Sequence, residues 1–149
     1  MSKRQKDILC CSAEALVNPV NCVGTMGKGL ALQFKISFPK NFYAYGKMCR
    51  TGRIRIGEVF IFALDDEDQP QRFIINFPTK RDWRDASKLQ EIQAGLEDLV
   101  RKVVDFKIGS IAVPALGCGL GGLDWHDVKP LIVQAFEPLT DVKLILFEP

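Results

Sequence analysis

Ser110-Ile111-Ala112-Val113-Pro114-Ala115-Leu116-Gly117-Cys118-Gly119-Leu120-Gly121-Gly122 reads as a buried strand running straight into a glycine-rich turn. The nearly unbroken apolar run over residues 110–115 suits a strand covered on both faces, the habit of layered α/β domains. Downstream, residues 125–136 have helical character, and residues 142–147 form another short apolar run. Upstream, runs rich in β-branched and aromatic residues occur at 8–11, 15–20, 59–63 and 73–77, each bounded by turn or polar residues. That makes about six strands. The acidic turn Asp65-Asp66-Glu67-Asp68-Gln69-Pro70 lets 59–63 and 73–77 pair antiparallel. Helices are expected at 29–37, 41–49, 87–104 and 125–136. The third has the clearest pattern: Leu89, Ile92, Leu96, Leu99, Val100 and Val103 recur at helical spacing behind Ser87 as candidate cap. The expected fold is α/β, a mixed central sheet between helices.

Composition bounds the function. At 149 residues and 47% hydrophobic, the chain reads as one domain over residues 1–149 with a sizeable core. A formal charge of +2 with 26% charged residues is too mild to establish nucleic-acid binding, so any basic patch must be argued locally. The apolar stretch behind the charged N-terminal residues is too short for a signal peptide, and no segment approaches the roughly 20 apolar residues that span a bilayer. The expectation is a cytoplasmic chain with no membrane partner. Five cysteines (Cys10, Cys11, Cys22, Cys49, Cys118) are an odd number without a C-x-x-C pair, which points to free thiols. His126 is the sole histidine, so a zinc site or a histidine-based triad would rest on one imidazole. No metal and no cofactor are expected.

Two glycine-rich loops follow two of the strands, and in an open α/β sheet ligands lie beyond the strands' carboxyl ends. The first, Asn18-Pro19-Val20-Asn21-Cys22-Val23-Gly24-Thr25-Met26-Gly27-Lys28-Gly29, runs from strand to helix, and its glycines let backbone N–H groups approach a phosphate. A P-loop would need Ser or Thr after Lys28; Gly29 stands there, which disfavours triphosphate chemistry. The second loop satisfies G-x-G-x-x-G at Gly117, Gly119 and Gly122. Too little chain remains after it for a dinucleotide fold, so redox cofactor binding drops out while anion cradling survives. Two such loops at one sheet edge suggest a diphosphate.

At this point the pattern becomes specific. Residues 15–39, with Asn18-Pro19-Val20-Asn21 and Met26-Gly27-Lys28-Gly29-Leu30-Ala31-Leu32-Gln33-Phe34-Lys35, together with Ile75-Asn76-Phe77-Pro78-Thr79-Lys80 and the 114–125 stretch ending Leu123-Asp124-Trp125, resemble a macrodomain. Within that family the chain is most similar to the DNA ADP-ribosyl glycohydrolases of bacterial toxin–antitoxin pairs. The resemblance implies a three-layer α/β/α fold with ADP-ribose laid across the sheet's carboxyl edge. It also implies that Asp7 accepts from the adenine amino group with the backbone of Ile8 in support, and that Asn21 bonds the distal ribose. Gly24, Gly27 and Gly29 would wrap that ribose, and Gly117, Cys118, Gly119, Leu120 and Gly121 would hold the diphosphate. Thr25, Met26, Leu30, Thr79, Pro114 and Leu116 complete the expected binding set. Lys80 matches the catalytic lysine of the subgroup. A related eukaryotic branch carries an aspartate where Gly121 stands here, which puts a lysine–aspartate pair in doubt and favours the bacterial DNA-directed branch.

Independently of family, Lys80 follows a strand that should end at the ligand edge. Arg81 is next to it, and a neighbouring cation favours the neutral amine, the form that attacks an anomeric carbon as Schiff-base lysines do. Capture of a ring-opened ribose as an imine and polarisation of the leaving group are both open, and the plain alternative is a solvated lysine at a strand end. Lys80-Arg81-Asp82-Trp83-Arg84 sets three cations around one indole, so Arg81, Trp83 and Arg84 are candidate DNA contacts; a charged loop with Trp83 as lid is the alternative. Asn18 reads as structural. Cys22 and Cys118 lie in the site loops, but no activating base is evident for either. Asp124 and Asp127 have the spacing of a cap and its third residue, His126 reads as a surface residue, and Phe147 either stacks adenine or packs the core.

The reading is a hydrolase that releases ADP-ribose from ADP-ribosylated single-stranded DNA, at thymine, with the cognate DNA ADP-ribosyltransferase toxin as a further partner. An ADP-ribose reader without catalysis and a hydrolase of O-acetyl-ADP-ribose are the alternatives. The chain is expected to be monomeric and to be a catalytic piece excised from a longer two-domain protein.

Overall fold

The computed structural model describes residues 3–149. Five strands form one sheet: β1 (Ala15–Val20), β2 (Phe60–Ala63), β3 (Phe73–Pro78), β4 (Ser110–Val113) and β5 (Lys143–Leu146), in the order β2-β3-β1-β4-β5. Every neighbouring pair is parallel except β2 with β3, which run antiparallel across the acidic turn with Phe60 opposite Asn76 and Ala63 opposite Phe73. Among the described residues, four α-helices flank the sheet: α1 (Gly29–Ser37), α2 (Pro39–Arg50), α3 (Leu89–Asp105) and α4 (Trp125–Phe136).

Alternate side chains of the central strands face opposite layers, as the period of two requires. Ala15, Val17, Ile75, Phe77, Ile111 and Val113 share a buried cluster with Ile92, Leu96, Leu99 and Val103 of α3 and with Val128, Ile132 and Phe136 of α4. Leu16, Ile74 and Ala112 point the other way, into a cluster with Leu30 and Phe34 of α1. Each fully buried Leu or Ile contributes about 1.5–3 kcal/mol relative to exposure, so the α3 stripe read from the sequence is a main support of the sheet. The result is helix, sheet, helix, with α3 and α4 on one face.

Two expectations are corrected. The run at residues 8–11 is not a strand; it falls on a 3-10 helix, Gln5–Cys10, whose neighbourhood carries the i to i−3 bonds Asp7 N–H to Arg4 O and Cys11 N–H to Ile8 O. Ile8 is fully buried in the cluster with Leu16, Phe34 and Phe147, so its apolar character reflects a plug over the sheet face and not ladder pairing. Ser87 is not the cap of α3: that place falls to Lys88, without a side-chain bond. Ser87 is buried instead, and its N–H donates to the carbonyl of Gly121 at 2.9 Å. Phe147 packs in the core at 1% exposure, while Asp124 does cap α4, its Oδ1 accepting from the His126 N–H at 2.9 Å.

Candidate functional site

Because β1, β3 and β4 are parallel, the loops that leave them emerge at the same sheet edge. Cross-loop bonds bind the three together: Thr79 N–H donates to Val20 O, Cys22 N–H to Arg81 O and Ser87 N–H to Gly121 O, each at 2.9 Å. Between them lies a cavity of about 850 Å³, within the range of small-ligand sites.

From the first loop, Asn21, Thr25, Gly27, Gly29 and Leu30 line this cavity, together with Lys28 and Ala31. Helix α1 begins there without a side-chain cap, and its first helical bond is Leu32 N–H to Lys28 O. The N–H groups of Gly29, Leu30 and Ala31 are thus left without intrahelical partners at the positive end of the helix, where an anion is favoured. From the loop after β4, Gly117, Cys118, Gly119, Leu120 and Gly121 line the opposite wall. Gly117 has φ +73, and a Cβ there would meet Leu123, Ser87 and Ile92, so only glycine makes this turn without strain. The N–H groups of Gly119 and Leu120 donate to no acceptor among the described residues. Two sets of open amides therefore face one space.

Thr79 and Lys80 line the cavity from the loop after β3. Lys80 is partly buried, and its amine makes no ion pair or hydrogen bond among the described residues. Arg81 turns to Glu91, at 2.8 Å, and Arg84 grips both oxygens of Asp82 at 2.9 and 3.1 Å. Those side-chain bonds, then the Arg84 backbone N–H, hold the Asp82 carboxyl down to about 2, with Lys80 as a smaller influence. Trp83 and Arg84 line the cavity; Arg81 does not.

The Asn21 side chain organises its own loop. Its Oδ1 accepts from the N–H groups of Val23 (3.0 Å) and Thr25 (3.3 Å), its Nδ2 donates to Thr25 O at 2.9 Å, and the Tyr45 hydroxyl lies 2.8 Å from both Oδ1 and the backbone oxygen. Asp7, Ile8, Gly24, Met26, Pro114 and Leu116 lie outside the cavity lining. Met26 and Leu116 are core side chains, and Met26 Sδ accepts from Asn18 Nδ2 at 3.7 Å. Asn18 is structural, buried with its Nδ2 donating to Asn76 Oδ1 at 3.2 Å.

Neither cysteine of the two cavity loops is held as a thiolate. Burial, then the proximity of Cys49, pushes the Cys22 thiol up to about 11, and burial, then Asp124, raises Cys118, so both stay protonated at neutral pH. All five cysteines are free, and no group of three or more His, Cys, Asp or Glu is placed to hold a metal among the described residues. No helix is long and apolar enough to cross a membrane among the described residues.

Sequence reasoning missed Lys28, Ala31, Asp85, Ala115, Pro19 and Val20 in the cavity wall and Tyr45 beneath Asn21. The first two could have been found: an uncapped helix start places its opening residues at the ligand edge. Tyr45, in mid-helix, carries no such signal.

Residues 17–132 match the Macro domain family. The chain is 52% identical over 143 residues to the DNA ADP-ribosyl glycohydrolase of Mycobacterium tuberculosis, covering 96% of this chain and 40% of that protein. It superposes on the solved macrodomain of Mycobacterium tuberculosis DarG with a TM-score of 0.95 at 49% identity, covering 99% of this chain and 97% of that one. On Thermosipho africanus DarTG in complex with ADP-ribose the TM-score is 0.89 at 34% identity, over 96% of this chain and 40% of that one. The chain thus spans 40% of the length of the curated Mycobacterium relative.

Proposed function

The chain belongs to the macrodomain family, and from that footing we propose that it is a DNA ADP-ribosyl glycohydrolase. It hydrolyses the N-glycosidic bond between ADP-ribose and a base of single-stranded DNA, thymine in our reading, releasing ADP-ribose and intact DNA. One observation carries this: open amides from two loops and the unpartnered amine of Lys80 line the same cavity. The amides of Gly29, Leu30, Ala31, Gly119 and Leu120 suit a diphosphate. Lys80 supplies what a mere reader has no use for, an amine able to attack or polarise at the distal sugar. Water adds across the bond, hydroxyl to the anomeric carbon and proton to the base, with no metal required. The ADP-ribose complex of the Thermosipho relative supports the same ligand here.

A hydrolase of this bond presupposes an enzyme that makes it, so the partner activity is a DNA ADP-ribosyltransferase, and a chain acting on bacterial DNA works in the cytoplasm. The test offers ADP-ribosylated single-stranded DNA, ADP-ribosylated protein and O-acetyl-ADP-ribose side by side. Consumption of the DNA substrate is expected. Binding of ADP-ribose with no substrate consumed would mark a reader, and preference for the acetyl ester would mark a metabolite hydrolase.

A further inference from the structure

Two large apolar side chains stand exposed on the cavity wall, Trp83 at 52% and Leu120 at 71%. They come from different loops, after β3 and after β4, and these loops are joined by the bond from Ser87 N–H to Gly121 O. A single exposed apolar residue needs no explanation, but two on adjoining loops of one cavity form the kind of surface that marks a contact. Neither a diphosphate nor a ribose, both polar, accounts for them.

The charge beside them cancels. Arg81 faces Glu91 and Arg84 faces Asp82, so a phosphodiester arriving at this loop meets two guanidiniums already turned to carboxylates. The release of counterions that drives backbone binding is correspondingly small. Arg84 also covers one face of the Trp83 ring, 5.5 Å from its centroid, which leaves the opposite face for a flat partner.

We propose that Trp83 and Leu120 form a base clamp: the indole stacks on the modified nucleobase, Leu120 packs against it from the other loop, and recognition of the nucleic acid ends at that base. This rests on the glycohydrolase reading above. The clamp reads the π-face and apolar edge of an unpaired base, not the strand on either side of it.

The experiment compares an ADP-ribosylated oligonucleotide with the ADP-ribosylated mononucleoside, over a salt series, in the wild type and in Trp83→Ala, Trp83→Phe and Leu120→Ser. Stacking on one aromatic ring is worth about a ten- to hundredfold change in binding. The expected result is KM raised about that much in Trp83→Ala and several-fold in Leu120→Ser, in each case by more than any loss of affinity for free ADP-ribose, with Trp83→Phe restoring most of the loss. The wild type should process mononucleoside and oligonucleotide with kcat/KM within about threefold, and the logarithmic salt slope should stay below about one phosphate's worth. Wild-type KM in both Trp83→Ala and Leu120→Ser would overturn the clamp, as would a steep salt slope confined to the oligonucleotide. If the wild type binds ADP-ribose but releases none from either substrate, the glycohydrolase reading fails and the clamp falls with it. Both side chains are exposed, so unfolding of the variants, checked by thermal melting, is not expected to intervene.

Discussion

The side chain of Ser87 fills the space beside Gly121 where any other residue would place its Cβ. Both Oγ and Cβ of Ser87 abut that position, and the Ser87 N–H donates to the Gly121 carbonyl at 2.9 Å. An acidic side chain at position 121 therefore has no room while Ser87 keeps its place, and Lys28 and Lys80 are the amines that line the cavity among the described residues. Overpacking of this kind costs about 1–3 kcal/mol. Gly121→Ala is expected to lower stability by that amount, and Ser87→Ala to restore more than half of the loss in the double variant. Ser87→Ala alone should be close to neutral, because the buried Oγ has no hydrogen-bond partner among the described residues. Urea unfolding of the four proteins measures the coupling; additive effects would show that the two residues do not compete for space.

Lys80 lines the cavity from the loop after β3, and its amine makes no hydrogen bond or ion pair among the described residues. Lys80→Ala should leave the affinity for ADP-ribose within about threefold and cut its release from modified DNA by at least about a hundredfold, the lower range for loss of a proton-transferring or nucleophilic group. Calorimetry and a single-turnover release assay separate the two effects. Borohydride present during turnover would trap a Lys80 imine as a covalent adduct; turnover without trapping would assign the amine to polarising the leaving group. Release that persists undiminished in Lys80→Ala would remove the residue from the chemistry.

The sheet and its glycine loops were legible because their signals are local. Residues 15–20 and 29–37 are bounded correctly by an apolar run and by the glycine turn between them, and parallel pairing then forces the loops after β1 and β4 to the same rim. What escaped depends on register and on partners distant in sequence. Nothing in the run Lys80-Arg81-Asp82-Trp83-Arg84 reveals that Arg81 will meet Glu91 on a helix ten residues on, so the loop reads as cationic when it is balanced. Ile8 looked like a strand because a buried plug and a buried strand share the same apolar composition. Asn18 and Asn76 each read as isolated polar residues in apolar runs until register sets them opposite one another.

That asparagine pair gives a further expectation. Asn76 Oδ1 accepts from Asn18 (3.2 Å) and Asn41 (3.1 Å), and its Nδ2 donates to Asn41 Oδ1 (2.8 Å) and Phe60 O (3.2 Å). All three amides are fully buried, and each polar group orphaned there costs about 1–3 kcal/mol. Asn76→Ala strips partners from Asn18, Asn41 and Phe60 at once and should cost about 3 kcal/mol or more. Asn18→Ala should cost clearly less, since Asn18 Oδ1 already lacks a partner among the described residues. Equal losses in chemical denaturation would show that the hub is not Asn76.

Alkaline pH should loosen the floor of the first loop before the rest of the fold. Burial and the nearness of Cys49 raise the Cys22 thiol from its usual 9.0 to about 11, burial raises Cys49, and burial together with Cys49 raises the Tyr45 hydroxyl above its usual 10.0. In each case the folded state holds its proton more tightly than the unfolded chain. Stability from this source is intact below the unfolded value and falls as pH rises through the interval between the two, which for Cys22 is pH 9 to about 11. Tyr45 holds Asn21, and Asn21 shapes the cavity wall; the folded protein keeps the Tyr45 proton through this window, so its contribution appears as lost stability as the unfolded chain ionises. The melting temperature is expected to be flat from pH 7 to 9 as far as these groups are concerned and to drop between 9 and 11, less steeply in Cys22→Ala than in the wild type. Replacing the exposed Cys10 by alanine should leave the slope unchanged. An identical slope in Cys22→Ala and wild type would mean that the Cys22 proton is not linked to folding.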